Sequence, residues 1–571
     1  MSQPQPSPRS GPTRFSWLVA ILLVAFGPAP GALASWAPNG NPASLAAMNQ
    51  VSAQGISDGL GGIILVWEDY RNGNADVYAQ HLDMSGAPLW GADGLAVCTD
   101  STDQQSPVLT SDGAGGAIIA WQDLRDLNYD IYAQRVSAGG TVQWTSNGVP
   151  VCTAAGSQVL EVATSDGANG AIIGWRDLRS GDSDVYAQRL SATGTRLWTP
   201  ADGVGVCVLA GSQTDVRILG DPRGGAFLVW RDRRAGLYYD IYAQSLDSGG
   251  APRWTANGMP VCAATYDQLS PSIALDGRFG LLVAWQDQRN GIDFNVWAQR
   301  LKPDGSPRWT LDGVQMTNAA GQQSTPVLIP DGSAGAIVAW TDSRVARPDI
   351  YAQRADSAGA LLWAPGDGVA VCASDSSQFL RTGVSDEQGG AIFAWDDDRS
   401  GGDQIYAQSV APNGTRRWAT PGLLIATASG SRTLTTAVAD GYHGALFGWQ
   451  DFRNGPTADV YAFRVTSLGT SVEPSRAPAV PARLYPARPN PFNPSTAIEF
   501  SLDAPSRVSL AVHDIQGRRV RVLADGSFDA GRHTVRWDGA DQAGRPCGSG
   551  VYFVRLALPQ GTRAMAITLV R

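Results

Sequence analysis

The sequence predicts an all-β protein, with an eight-bladed β-propeller followed by a small β-sandwich. A Trp-x-Asp-x-Arg motif recurs eight times at spacings of 54 or 55 residues. Each copy lies among short strand-like segments separated by Gly- and Asp-rich turns, and no window shows sustained helical periodicity. The repeat stops near Gly469, where a differently patterned tail begins.

The first residues have the layout of a secretory signal peptide. Arg9 and Arg14 precede the apolar run FSWLVAILLVAF, and small residues follow as far as Ala34. Because the run is too short to cross about 30 Å of hydrocarbon, we expect cleavage and export rather than a membrane anchor. The expected divisions are a signal peptide at 1–34, the propeller at 35–470, a Pro-rich linker at 471–483 and the C-terminal domain at 484–571.

Charge and cysteine content restrict the partners. The net charge is −9 and no basic cluster is present, which argues against nucleic acid or an anionic membrane surface as a ligand. After removal of the signal peptide, no integral membrane segment is expected. Five of the six cysteines occupy one equivalent repeat slot (Cys98, Cys152, Cys207, Cys262 and Cys372). Equivalent slots lie a whole unit apart, so buried free thiols are expected rather than disulfides.

The eight motif copies share a tryptophan, an aspartate and an arginine at alternate positions. They are Trp67, Asp69 and Arg71; Trp121, Asp123 and Arg125; Trp175, Asp177 and Arg179; Trp230, Asp232 and Arg234; Trp285, Asp287 and Arg289; Trp340, Asp342 and Arg344; Trp395, Asp397 and Arg399; and Trp449, Asp451 and Arg453. An aromatic-Ala pair follows each copy. A second tryptophan then closes seven of the units: Trp90, Trp144, Trp198, Trp254, Trp309, Trp363 and Trp418.

One unit divides into four strand candidates. In the second unit these are SPVLTSD (106–112), GAIIAWQD (116–123), DIYAQRVS (130–137) and a last stretch within 142–152. Four antiparallel strands at a fixed period describe the blade of a propeller.

The last unit lacks its second tryptophan, and the missing residue is found at the other end of the repeat. Trp36 precedes Asp58 by 22 residues, as Trp90 precedes Asp112. Residues 36–50 are therefore predicted to supply the outer strand of the eighth blade and to close the ring.

The repeated side chains are predicted to be architectural. Tryptophans between blades can each bury about 150–250 Å². In each Asp-x-Arg pair the two side chains share one strand face, and a later acid lies across the turn, for example Asp76 or Asp130. An Asp–Arg–Asp bridge across that hairpin is the favoured interpretation.

Calcium ligation and a hydrolytic carboxylate pair are the functional alternatives. The only unusually acidic copy is WDDDR, which makes Asp396, Asp397 and Asp398 weak calcium candidates.

Departures from the repeat are the places where a site is expected. Those found are His81, Asn295, Trp297 and His443. A lone histidine at a turn is usually solvated, and the four histidines form no metal-type or Ser/His/Asp spacing. No catalytic residue, cofactor or firm metal site is assigned.

The run SPVLTSDGAGGAIIAWQDLRDLNYDIYAQRVSAGG resembles the repeat of TolB-like propellers, with a longer period and eight units instead of six. This resemblance implies the fold and no particular partner. The stretch LDMSGAPLW (82–90) resembles the tryptophan-bearing blades of eight-bladed quinoproteins, whose adjacent Cys-Cys pair is missing here.

The tail resembles FlgD Ig-like domains and the C-terminal (Por) sorting domains of type IX secretion. The residues that carry the resemblance are Asn490–Pro494, Asp514 with Gly517 and Arg518, Trp537–Gly539 and Ser549–Tyr552. The alternating segments IEFSL, VSLAVHD, HTVRWD and VYFVRL predict an Ig-like β-sandwich. The resemblance implies engagement of a secretion machinery and a secreted or outer-surface location in a diderm bacterium.

Three functions are compatible with the sequence. The first is a non-enzymatic propeller that binds a protein or glycan through one face. The second is a secreted hydrolase or lyase acting on polysaccharide, which would need unlike residues converging at the axis. The third is a structural envelope component, and fold alone does not separate the three.

Overall fold

The computed structural model describes residues 36–399, 402–426, 430–470, 483–485, 487–490, 492–502, 506–513, 519–529, 531–558 and 561–570. The described residues contain strands and no helix. Consequently, none of them forms a helix that could cross a membrane. The chain divides into two compact units, Met1–Val472 and Glu473–Arg571. The expected signal peptide and nearly all of the expected linker lie outside the described residues, and Arg483 already begins a strand.

The first unit consists of eight four-stranded antiparallel sheets, called blades 1–8. A single strand, β1 (Asn41–Ser44), precedes blade 1. Blades 1–4 are β2 (Gln50–Ser57), β3 (Ile63–Asp69), β4 (Asp76–Leu82) and β5 (Leu95–Cys98); β6 (Gln104–Ser111), β7 (Ala117–Asp123), β8 (Asp130–Val136) and β9 (Val149–Cys152); β10 (Gln158–Ser165), β11 (Ala171–Asp177), β12 (Asp184–Leu190) and β13 (Val204–Cys207); and β14 (Gln213–Gly220), β15 (Ala226–Asp232), β16 (Asp240–Leu246) and β17 (Met259–Cys262).

The other four blades repeat this order. They are β18 (Gln268–Leu275), β19 (Leu281–Asp287), β20 (Asn295–Leu301) and β21 (Val314–Gln315); β22 (Gln323–Pro330), β23 (Ala336–Asp342), β24 (Asp349–Ala355) and β25 (Val369–Cys372); β26 (Gln378–Ser385), β27 (Ala391–Asp397), β28 (Gln404–Val410) and β29 (Leu423–Leu424); and β30 (Arg432–Ala439), β31 (Ala445–Asp451) and β32 (Asp459–Val465), which pair with β1.

The second strand of each blade is buried on both faces because blades stack against it from both sides. In β7, AIIAWQD, every residue is buried, which explains why this segment is a continuous apolar run rather than an alternating one. The third strand, β8, pairs with β7 in simple register, with Trp121 opposite Tyr132 and Asp123 opposite Asp130. The first, or inner, strand carries a bulge near its start, between Gln105 and Val108 in blade 2.

The N-terminal strand completes the eighth blade, as the sequence predicted. Pro42 of β1 lies opposite Tyr461 of β32, and Trp36 donates from Nε1 to the Met84 carbonyl at 3.0 Å, as Trp90 does to Ala138. Arg453 donates to the Asn39 carbonyl across 414 residues.

Each inner strand also contacts the inner strand of the next blade, and β30 contacts β2 in the same way. The backbone N–H of Gln104 in blade 2 donates to Ala75 in blade 1, and that of Gln50 donates to Ala458 in blade 8. The order of contacts between blades is therefore cyclic.

Tryptophans form the core between blades. All eight motif tryptophans are fully buried, and seven of the eight outer ones, Trp36 included, are also buried. Because the bulk of each indole lies between two sheets, the stability of the unit depends on contact between blades more than on any single sheet.

The second unit contains two sheets. Its strands are β33 (Arg483–Leu484), β34 (Thr496–Leu502), β35 (Ser506–His513), β36 (Arg519–Phe528), β37 (Gly531–Trp537), β38 (Gly550–Leu558) and β39 (Gly561–Leu569). The sheet orders are β33-β34-β37 and β36-β35-β38-β39. Trp537, Phe492 and Tyr552 pack together in the core of this unit. Residues 514–518 of the predicted motif lie outside the described residues.

Candidate functional site

The motif arginine contacts an aspartate, an aromatic ring and a backbone carbonyl, and is architectural. In blade 2, Arg125 donates from Nε to Asp123 Oδ1 at 2.8 Å and from its terminal nitrogen to Oδ2 at 2.6 Å. Trp121 Nε1 donates to the same Oδ2 at 2.8 Å. The guanidinium also lies 3.8 Å above the Tyr132 ring and donates to the Asn147 carbonyl. The arginine–aspartate ion pair and the stacked ring recur in all eight blades.

The predicted second arm of this bridge is wrong. The motif arginines form ion pairs with the first acid, and the later acid takes other donors: Asp76 accepts from Asn72 at 2.7 Å, and Asp184 accepts from Ser180 at 2.6 Å. The reason is geometric, because stacking on the ring and bidentate pairing already fix the plane of the guanidinium. The later acid is buried without a cation; burial and the neighbouring carboxylates therefore raise the pKa of Asp130 and of Asp240 to about 6.

These later acids lie at the joints between blades. Each of the seven inner strands of blades 1–7 begins with a buried glutamine whose backbone N–H bonds to the previous blade, at the residue before the later acid or, in blade 5, before Asn295. The side-chain oxygens of these glutamines have no hydrogen-bond partner among the described residues. In blade 8 the glutamine is replaced by Arg432, which donates to Asp451 at 3.0 Å and to Gln404. At this joint Gln404 stands in place of the later acid, and the arginine pairs with the motif aspartate Asp451.

The five repeat-slot thiols are free and buried, as predicted. Each receives a contact from the motif arginine of the next blade, for example Arg179 to Cys152 at 3.3 Å. Burial raises the pKa of Cys98 and Cys152 to about 12. Ser44 of β1 takes the corresponding place beside Arg71.

A second side-chain pair, with an aspartate as the acceptor, holds the turn between the first two strands of each blade. Arg135 pairs with Asp112 at 3.0 Å in blade 2, and His81 Nε2 lies 2.9 Å from Asp58 in blade 1. The expectation of a solvated His81 is wrong, since the residue is 5 % exposed and its ring contacts Trp90 edge-on. His443 lies in a turn and contacts the Asp386 carbonyl at 3.1 Å.

The three weak calcium candidates do not share a site. Asp396 pairs with Arg381 at 2.7 Å, Asp397 belongs to the motif pair with Arg399, and Asp398 accepts from the Ser377 backbone N–H. Alternation along a strand sends neighbouring side chains to opposite faces. Within the described part of the chain, no group of three or more His, Cys, Asp or Glu side chains is arranged to hold a metal ion.

Further departures from the repeat lie on one face of the first unit. We call it the hairpin face; it comprises the turns between the second and third strands and the loops that lead to the next blade. In blade 4 the turn presents Leu237 and Tyr238, which are 77 % and 44 % exposed. The Tyr238 ring meets the Tyr266 ring edge-on at 5.2 Å.

The neighbouring hairpin of blade 5 lies against Tyr266 and presents Ile292, 74 % exposed. A Cβ built on Gly291, whose φ is +73°, would lie 3.2 Å from the Tyr266 ring, so this close approach requires glycine. Leu237, Tyr238, Tyr266 and Ile292 are called the apolar patch.

Beside this patch, two arginines break a second rule of the repeat. The middle residue between the motif tryptophan and aspartate accepts a backbone N–H from the next blade in five places: Glu68, Gln122, Gln286, Thr341 and Asp396. In blades 3 and 4 this residue is Arg176 and Arg231, which cannot accept.

The two arginines instead form ion pairs with their own inner strands. Arg176 pairs with Glu161 at 2.5 Å, and Arg231 lies 3.7 Å from Asp215. Arg217 also pairs with Asp215, at 2.7 Å. We call these two ion-paired groups in adjacent blades the arginine cluster; they are Glu161 and Arg176 in blade 3, and Asp215, Arg217 and Arg231 in blade 4.

Tyr239 connects the cluster to the patch. Its ring lies 5.0 Å from the Arg231 guanidinium and 5.7 Å from that of Arg233, and it directly follows Tyr238. Sequence reasoning missed both features. The signal was present, since aligning the eight middle residues gives Glu, Gln, Arg, Arg, Gln, Thr, Asp and Gln.

A shallow pocket of about 260 Å³ lies on the same face between blades 3 and 4. It is lined by Ser180, Asp182 and Asp184 of one hairpin and by Val208, Leu209 and Ala210 of the following loop. Asp182 already accepts the Gly211 N–H at 3.1 Å, and Asp184 holds the Ser180 hydroxyl. The two carboxylates are therefore committed to loop structure.

The chain shows low similarity to several solved structures. A fungal alcohol oxidase of the AA5 family, in complex with copper, is 11% identical with a TM-score of 0.44, covering 95% of this chain and 100% of that one. PorZ, a surface component of the type IX secretion system of Porphyromonas gingivalis, is 10% identical with a TM-score of 0.31, covering 92% and 82%. A PL25 ulvan lyase is 10% identical with a TM-score of 0.37, covering 77% and 97%.

No curated protein matches the chain. One family does match: residues 492–561 correspond to the FlgD Ig-like domain. The match covers most of the second unit, including Trp537 and Tyr552 of its core. The protein is thus all-β, with repeated four-stranded propeller blades and a C-terminal FlgD Ig-like domain.

Proposed function

We propose that this chain is a secreted or surface-displayed bacterial propeller that binds a protein partner through the hairpin face of blades 3–5, without catalysis. The observation that carries the proposal is the apolar patch. Leu237 and Ile292 expose about three quarters of their surface at neighbouring hairpin tips, beside a tyrosine pair. Contiguous exposed apolar residues mark interaction sites in soluble proteins.

The composition of the patch favours a protein over a glycan. Tyrosine and arginine are enriched at protein interfaces, and apolar anchors with a polar rim are typical of their energetic centres. Leu237 and Ile292 offer a sugar ring neither a stacking face nor a hydrogen-bond donor. Tyr238 and Tyr266 suit either ligand, so a glycan remains an outcome of the test.

Catalysis is less well supported than binding. A hydrolase or lyase would need carboxylates free to move protons. The two carboxylates that line the pocket on this face, Asp182 and Asp184, have structural partners. The quinoprotein alternative gains no support from the buried thiols, because they lie in separate joints.

The C-terminal domain serves sorting or anchoring in this proposal. Support comes from the FlgD Ig-like match at 492–561 and from the sorting-domain resemblance of the tail. In the cell, removal of residues 484–571 is expected to leave the propeller folded but retained behind the outer membrane. Fractionation with an antibody against the propeller measures this, and normal surface display of the truncated chain would contradict the role.

To test binding, the immobilised propeller is exposed to extracellular proteins from a culture of the bacterium that produces it and, separately, to a glycan array. A Leu237→Asn/Tyr238→Ser variant is compared with wild type. Leu127→Asn is the matched control, since Leu127 is 92 % exposed at the hairpin of blade 2. We expect a protein that is retained by wild type and the control and lost by the double variant. Equal retention by all three, or a glycan ligand alone, would refute the proposal.

A further inference from the structure

We propose that the arginine cluster is an anion site that binds carboxylates of an acidic segment in the protein partner. This inference rests on the proposed function, because the cluster adjoins the apolar patch through Tyr239. It adds the chemistry of the ligand: acidic side chains at the inner end, followed by apolar residues toward the hairpin tips.

The first argument is the broken repeat rule. At five joints a middle residue accepts a backbone N–H of the next blade, for example Gln286 from Thr325 at 2.9 Å. Arg176 and Arg231, in two adjacent blades, cannot accept this hydrogen bond. A substitution that gives up a structural hydrogen bond and gains a partly exposed charge is typical of a functional position.

The second argument is charge. The cluster contains three guanidinium groups and two carboxylates, in a protein whose net charge is −9. The side chains of Arg176, Arg217 and Arg231 are 31%, 39% and 28% exposed. Arg231 Nε, although close to Asp215, has no hydrogen-bond partner among the described residues. The cluster therefore has one guanidinium more than it has carboxylates, and the unpaired Nε of Arg231 is a buried atom.

The third argument is geometry. Arginine presents a planar fork that suits a carboxylate, and pairing in a partly desolvated site strengthens the contact. Tyr239 holds Arg231 and Arg233 on its ring, so both guanidinium groups are oriented before a ligand arrives. Its backbone N–H is in turn fixed by Asp267 at 2.9 Å.

The experiment uses the full chain and a fluorescein-labelled peptide of glutamate and leucine residues. The same peptide with glutamine in place of glutamate, and polygalacturonate, serve as competitors. Arg176→Gln and Arg231→Gln restore the residue found in blades 2, 5 and 8. These variants are therefore expected to fold with unchanged or higher melting temperature, since glutamine can accept the backbone N–H again.

Arg381→Gln is the matched control. Arg381, like Arg231, is a partly exposed arginine that pairs with an acid of its own blade, but it lies on the inner strand of blade 7. We expect about tenfold weaker peptide binding for Arg231→Gln, the loss of one charge-assisted hydrogen bond, and no change for the control. Wild-type affinity should fall with added salt.

Equal affinity for wild type and Arg231→Gln, or for the glutamate and glutamine peptides, would overturn the inference. Polygalacturonate binding more tightly than the peptide would also overturn it and indicate an acidic glycan. Failure here is separable from failure of the proposed function: a partner that needs Leu237 and Tyr238 but not Arg231 leaves the binding proposal standing.

Discussion

Replacing Trp36 by alanine should destabilise the first unit as much as the equivalent change inside the repeat. Trp36 is 2 % exposed, and its Nε1 donates to Met84 at 3.0 Å. Trp198 is also 2 % exposed, and its Nε1 donates to Ser248 at 2.9 Å. Truncation of a buried tryptophan costs about 3–5 kcal/mol. If β1 is a true outer strand of blade 8, the two variants should lose similar amounts of unfolding free energy.

The assay is urea unfolding of the propeller followed by tryptophan fluorescence and circular dichroism. Leu45→Ala is the control, because Leu45 is 51 % exposed just after β1; a loss within about 0.5 kcal/mol is expected there. Deletion of residues 36–50 should be at least as damaging as Trp36→Ala, and adding the corresponding peptide should restore part of the loss. Stability of Trp36→Ala equal to wild type would refute both the pairing and the closed ring.

Three further predictions concern the joints and turns. Burial raises the pKa of Asp240 to about 6, so its contribution to stability is present below pH 4 and lost as pH rises through 6. In Asp240→Asn the melting temperature should therefore depend less on pH over this range. An unchanged dependence would contradict the assignment. The thiols Cys98 and Cys152, with pKa values of about 12, should resist Ellman's reagent at pH 8 until urea is added; prompt labelling in native buffer would show them accessible. Arg417→Ser should lower the free energy of unfolding by about 2 kcal/mol, because it leaves buried Asp386 without its guanidinium. Adding Ser409→Arg, which places the arginine at its usual position in the repeat, should restore the stability in thermal melts. If it does not, the two positions are not equivalent.

Most of the fold could be predicted because the repeat exposes it. A two-residue alternation alone cannot reveal a strand buried on both faces, yet eight aligned copies identify AIIAWQD as one element. The missing second tryptophan likewise led to Trp36, since equivalent positions must be filled for the tryptophan core to be continuous. The segment that follows Trp36 pairs with β32 of the eighth blade.

The site was predicted less well. His81 was expected in solvent, but its position in the aligned repeat is that of Arg135, whose partner is the buried acid of a turn. The Asp–Arg–Asp bridge failed because sequence spacing does not reveal that the arginine stacks on Tyr132. Arg176 and Arg231 were overlooked because Trp-x-Asp-x-Arg treats their position as variable. What that position does, namely accept a backbone N–H from the next blade, is visible only in three dimensions.

The pairing of β1 with β32 determines when the first unit can finish folding. Arg453 reaches the Asn39 carbonyl across 414 residues, so the eighth blade draws strands from both ends of the propeller. During synthesis blades 1–7 can form from local hairpins, whereas blade 8 cannot form until β32 has been made and pairs with β1. Non-local pairing of this kind is slow to form, which leaves the chain unclosed for longer than any single blade needs. Under the proposed secretion, such a delay would keep the chain in an unfolded, transportable state until export is complete.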